Sequence, residues 1–204
     1  MDIDAASLAP RDAYALLTSL VVPRPIAWIT TADGDHINVA PFSFFNALGS
    51  DPPMLTVSFA ARRDGSDKDT LRLLRKTGHC CVHVVEEGAL DAMNLTSAEL
   101  PADESEAVRF GLATLPCARI PGVRLAAARA GMECRLVDVH RYGRNQAVGL
   151  AVLEVVAFFV ADALCVAGAA PVRVDGEQLR PVARMGGNGY AFVGARPTRE
   201  RPQL

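Results

Sequence analysis

The chain has 204 residues, 50% of them hydrophobic and 22% charged, with 21 basic against 23 acidic side chains and a formal net charge of −2. That composition excludes a disordered, collagen-like or disulfide-scaffold chain, and the near-neutral balance supplies no basic footprint for nucleic acid. Five cysteines without a CxxC read as reduced thiols, and an acidic start with no apolar leader points to a cytoplasmic protein.

In chain order, Tyr14 to Leu20 reads as a short helix that Pro23 and Pro25 stop, because each proline lacks a donor and restricts its predecessor. Residues 26–31 (IAWITT) are β-branched and apolar, and ADGD after them is a hairpin turn into HINVA. Residues 42–47 (FSFFNA) read as the next strand. In a strand of period two, Phe42 and Phe44 share one face, and Ser43 and Phe45 the other. After the GSDPP turn, residues 54–59 form a further strand.

Asp67 or Asp69 is suited to cap the helix TLRLLRKT, whose Leu71, Leu74 and the stem of Arg75 form one apolar face and which Gly78 ends. HCCVHVV (79–85) reads as a buried strand, followed by helical material at 89–96 and 105–110 with an acidic surface turn, PADESEA, between them. Long strands are expected at 132–140 and 147–160, joined by RYGRN, and a final strand pair around Val172 and Val182. Glu154 and Asp162 interrupt the most apolar stretch, so no membrane helix is expected. With no linker or repeat visible, residues 1–204 read as one domain. Strands separated by short turns, with helices inserted irregularly, favour a mainly β fold, a closed or partly closed barrel with added helices, over a doubly wound sheet.

Three segments could carry chemistry. Residues 40–53 concentrate Phe42, Phe44 and Phe45 in a chain with only 8 Phe, 3 Tyr and 1 Trp; this suits either a core strand or a flat apolar ligand. Residues 58–70 gather Arg62, Arg63, Lys68, three hydroxyls and a helix N-terminus, groups that suit a phosphate, or else a solvated loop with a routine cap. RMGGNGY (184–190) is a glycine loop between Arg184 and Tyr190, whose backbone can approach a ligand or simply turn. His79 and His83 would lie roughly 13 Å apart in a strand, too far for one ion, so no metal site is expected. No P-loop, GxSxG or HExxH occurs.

The blocks PRPIAW, N-x-APFSFF, SDPP, KDT, MNLTSAELP and RMGGNGY, in that order over residues 22–190, resemble the flavin reductase-like family of FMN-binding split-barrel (flavoredoxin-like) proteins. The resemblance implies a six-stranded Greek-key barrel with added helices, a homodimer, and a flavin at or beside the subunit interface. It places the isoalloxazine against Pro41, Phe42, Ser43, Phe44 and Asn46, and the ribityl and phosphate against Ser58, Arg62, Lys68, Asp69 and Thr70. Arg184 and Tyr190 become neighbours of the open flavin face.

The activity implied is hydride transfer from NADH or NADPH to flavin, FMN or alternatively FAD, by an oxidoreductase that supplies reduced flavin to a partner monooxygenase. Such chemistry asks for positioning more than for a protein acid or base, and no catalytic residue is assigned. The alternative is a flavoredoxin-like electron-transfer protein with tightly bound FMN and no direct NAD(P)H turnover. It is motivated by Phe159 and Ala161, which stand before Asp162 where many relatives carry a histidine and an acidic pair. A third reading, an oxidase or oxygenase acting on a small molecule, has no substrate-specific motif to support it.

Overall fold

The computed structural model describes residues 1–194 and 197–202. Helix α1 (Pro10–Leu20) starts on a proline, where the absent N–H would have had no helical partner. A short β1 (Arg24–Pro25) leads to the hairpin β2 (Ala27–Asp33) and β3 (His36–Phe42). Asp33 pairs with His36 across a two-residue turn in which Gly34 takes φ +60°, as the hairpin geometry requires. Next come β4 (Phe45–Ser50), β5 (Pro53–Ala60), α2 (Asp69–Thr77) and β6 (His79–Val84). Two short pairs follow, α3 (Leu90–Leu95) with α4 (Glu106–Arg109) and β7 (Thr114–Pro116) with β8 (Val123–Leu125), and then the two long strands β9 (Ala130–Tyr142) and β10 (Val148–Val160). The last elements are α5 (Gly176–Leu179), β11 (Val182–Arg184) and β12 (Tyr190–Phe192).

Seven strands form one antiparallel sheet in the order β3-β2-β6-β9-β10-β5-β4, with a three-stranded sheet β1-β11-β12 and the hairpin β7-β8 outside it. The expected mainly β fold with added helices is present. The expected six-stranded Greek-key barrel, closed or partly closed, is not seen as such: the sheet has seven strands and is open, since among the described residues its edges β3 and β4 share no ladder.

The sheet is nevertheless rolled. Only Ser43 and Phe44 separate the end of one edge strand from the start of the other. Ile29 of β2, Val57 and Phe59 of β5, Leu71 and Leu74 of α2, and Leu153 of β10 lie in one buried cluster, so strands far apart in the sheet order face a common interior. Burial of this kind contributes about 25 cal/mol per Å2 of apolar surface. A second cluster, around Trp28, Val39, Met93 and Leu125, packs outside the roll under α3 and α4.

Three local expectations need correction. Residues 42–47 are not one strand, because the chain bends at Ser43–Phe44 as it crosses between the sheet edges. Phe42 and Phe45 therefore pack against the interior while Phe44 stacks on Tyr14 outside, a pattern that period two does not produce. Lys68, not an aspartate, takes the position before α2 and makes no side-chain cap. Asp67 instead accepts from Arg141 at 2.7 Å, and Asp69 lies within the first turn, paired with Arg62 and with Arg72 at 3.0 Å. Val172 is in no strand; β11, which contains Val182, pairs with β1 and β12.

Candidate functional site

The roll and the start of α2 bound a cavity of about 250 Å3. Its walls are the end of β3 with the bend after it (Pro41, Phe42, Ser43, Phe44), Ser58 of β5, and Arg62, Lys68, Asp69 and Thr70 around the entry to α2. Nine of the ten residues expected to hold a flavin thus line one cavity. The tenth, Asn46, lies on the exposed face of β4, where its Oδ1 accepts from the Ala47 N–H at 2.8 Å.

Local physics explains this convergence. Leu71, Leu73 and Leu74 bury one side of α2 and so fix where the helix begins. Thr70 is buried, and its Oγ1 accepts from Asn38 Nδ2 of β3 at 2.8 Å, which ties the helix start to the strand. Gly78 ends the helix at φ +77°, its N–H donating to the Leu74 carbonyl at 2.8 Å.

The cavity sets two cationic side chains, Arg62 and Lys68, among three carboxyls, Asp69, Glu99 and Glu106, and their hydrogen bonding is incomplete. Arg62 pairs with Asp69, yet its Nε is buried with no hydrogen-bond partner among the described residues. Lys68 Nζ reaches Glu99 at 3.0 Å, and that ion pair holds the exposed Glu99 carboxyl below its ordinary range. Glu106 is buried in the same wall, where its Oε2 accepts from the Val39 N–H at 2.9 Å; desolvation raises its pKa. An orphaned guanidinium N–H and a lysine held, among the described residues, by one exposed carboxylate fit an anionic group such as a phosphate.

A second cavity of about 540 Å3 shares Tyr14, Pro41, Phe42, Ser43 and Ser97 with the first. Arg184 and Tyr190 line it, with the guanidinium 4.6 Å from the ring centroid. Arg184 Nη2 donates to the Gly187 carbonyl at 2.6 Å, and Tyr190 Oη donates to Asn94 Oδ1 at 3.0 Å. Gly187 adopts φ +57°, so the glycine loop is what folds back under Arg184. The two cavities place the flat-ligand, phosphate and glycine-loop segments around one continuous region.

Several lining residues escaped the sequence reading. Tyr14 carries no local motif, and Asn38 opens the N-x-APFSFF block without a role of its own there. Thr96 to Leu100 fall within the MNLTSAELP block but were assigned no role. Glu106 belongs to the acidic segment PADESEA, whose composition suits a surface turn, yet the residue is only 7% exposed. Phe159 lines neither cavity: it packs over Gly131 and His83 with the Arg124 guanidinium 4.6 Å from its ring. Among the described residues there is no cluster able to hold a metal ion and no helix long and apolar enough to cross a membrane.

Residues 19–167 match the family model described as Flavin reductase like domain. An uncharacterized protein of Halalkalibacterium halodurans is 36% identical over 208 residues, covering 100% of this chain and 98% of its own. Among solved structures, nitrilotriacetate monooxygenase component B from Bacillus cereus superimposes with a TM-score of 0.91 at 32% identity, covering 98% of each chain. The 2-nitrobenzoate 2-nitroreductase NbaA of Pseudomonas fluorescens does so with a TM-score of 0.87 at 27% identity, covering 99% of this chain and 96% of its own.

Proposed function

Because the chain belongs to the flavin reductase-like, split-barrel family, we propose that it is an FMN-binding oxidoreductase that passes hydride from NADH or NADPH to flavin and supplies reduced flavin to a partner monooxygenase. The observation that carries this reading is the convergence of Pro41 to Phe44 with Ser58, Arg62, Lys68 and Thr70 on one cavity, with a buried Arg62 Nε left unpartnered. The likeness to a protein named as component B of a monooxygenase supports the division of labour with a second protein.

A bound flavin would supply the hydride-accepting ring; the protein's share is binding and orientation. Phe42 and Pro41 form an apolar wall for a flat ring, while Arg62, Lys68 and the first turn of α2 address the phosphate. The adjoining cavity, with Arg184, Tyr190 and Asn188, is the proposed approach for the nicotinamide substrate.

We propose a homodimer as the working form. Beside the cavity, α1, the bend before β4 and β4 itself expose Tyr14, Leu17, Leu20, Phe44 and Leu48, apolar side chains that a second copy would cover.

Purified protein mixed with NADH or NADPH tests the reading directly. The expected result is oxidation of one nicotinamide that accelerates when free FMN is added. No acceleration, together with bound flavin that neither nicotinamide bleaches, would replace the reductase with the tightly bound, flavoredoxin-like carrier.

A further inference from the structure

The outer face of the sheet carries a row of buried side chains that belongs to neither cavity. Thr30 of β2, Cys81 of β6 and Glu133 of β9 are directly opposite one another across three adjacent strands, each no more than 1% exposed. All three face the segment running from β7 to β8. Thr30 Oγ1 donates to the Val123 carbonyl. Glu133 accepts from the Ala118 N–H at 2.7 Å and the Arg119 N–H at 2.6 Å. Between these two anchors, Cys81 meets the sulfur of Cys117, the residue immediately before the pair that Glu133 holds.

The two thiols are unequal. Cys81 is buried within the row, whereas Cys117 is partly exposed at the surface. The neighbouring Cys117 sulfur pushes the Cys81 pKa up, and Cys81 in turn brings that of Cys117 down. The accessible partner is therefore the better nucleophile, and the buried one keeps its proton beside it.

We propose that Cys117 and Cys81 are an oxidisable pair that closes into a disulfide on exposure to hydrogen peroxide, fastening the β7–β8 segment to the sheet. The Cys117 thiolate attacks one peroxide oxygen, giving a sulfenic acid and hydroxide. Cys81 sulfur then displaces that oxygen, which leaves as water with the Cys81 proton, and the S–S bond forms. In sum, two thiols and one peroxide become a disulfide and two waters. The proposal stands on the row and its contacts, and is independent of the flavin reading.

Peroxide at one equivalent, added to the folded full-length protein and followed by intact mass and fragment sequencing, tests it. The expected result is a loss of about 2 Da with a link between Cys117 and Cys81, retained in Cys80→Ala and absent in Cys117→Ser. A link to Cys80 or Cys134, a bridge between two copies, or Cys117 gaining oxygen without a link would each overturn it.

Discussion

Phe42 and Phe59 meet edge to face with ring centroids 4.6 Å apart, although their strands β3 and β5 stand first and sixth in a sheet of seven. Where no backbone ladder joins the edges, this ring pair fastens the roll, and it does so at the wall of the candidate cavity. Phe42→Ala should therefore lower stability by about 2 kcal/mol, below the range for a fully buried ring because Phe42 is half-buried. Urea denaturation checks this. Phe44→Ala, which removes a ring packed only on the outside, should cost less than about 1 kcal/mol.

Lys68 is held by the exposed Glu99 across the cavity, so a phosphate has to win the lysine from that carboxylate. Lys68→Ala should weaken FMN binding by about 1 to 3 kcal/mol, the range for losing a charged hydrogen-bond partner. Glu99→Gln should change it in the opposite sense, since a neutral amide competes less well for the ammonium. Titrating flavin fluorescence against each variant gives both signs, and tighter binding by Lys68→Ala would place the phosphate elsewhere.

His83 is fully buried on β6, with Nδ1–H donating to the Trp28 carbonyl at 2.8 Å and Nε2 accepting from the Leu125 N–H at 3.0 Å. Both nitrogens are committed to the neutral ring, and burial takes its pKa down to about 4. Between pH 6.5 and 4 the unfolded chain binds a proton at this residue that the folded chain does not, so stability is full above pH 6.5 and falls as the solution is acidified. The loss from this residue should be about 2 kcal/mol on going from pH 6.5 to 5. Nitrogen chemical shifts of the His83 ring should still report the neutral Nδ1–H tautomer at pH 5; a charged ring there would contradict the assignment.

Gly131 of β9 lies beneath the Phe159 ring, and a β-carbon there would come within 2.5 Å of both Phe159 Cζ and the Val82 carbonyl oxygen. The ring could shift, but the carbonyl belongs to the β6 backbone. Gly131→Ala should destabilise the protein by about 1 to 3 kcal/mol through overpacking, read as a lower denaturation midpoint. Gly131→Ala combined with Phe159→Leu should recover only the part due to the ring.

Much of the chain was legible because it is locally determined. The β2–β3 hairpin follows from its turn residues and alternation, and the end of α2 from Gly78. The residues proposed to hold a flavin were legible through their motifs, and nine of the ten line one cavity, without Asn46. What escaped was non-local. The bend at Ser43–Phe44 is imposed by the crossing from one sheet edge to the other, and no pattern within residues 42–47 encodes that crossing. Asp67 turned away from its expected cap because Arg141, 74 residues along the chain, offers a stronger partner. Glu106 read as a solvated carboxylate because the Val39 N–H that receives it belongs to a strand nearly seventy residues earlier.

The hydrogen bond from Trp28 Nε1 to Thr96 Oγ1, 2.9 Å long, links the chain's one indole to a residue of the cavity wall. Trp28 is almost wholly buried in the outer cluster, so its emission comes from a single fixed environment. An isoalloxazine absorbs where tryptophan emits, and one settling beyond Thr96 would drain that emission by resonance transfer. The protein thus carries its own optical gauge of occupancy: intrinsic fluorescence should dim in proportion to the flavin seated, without any label.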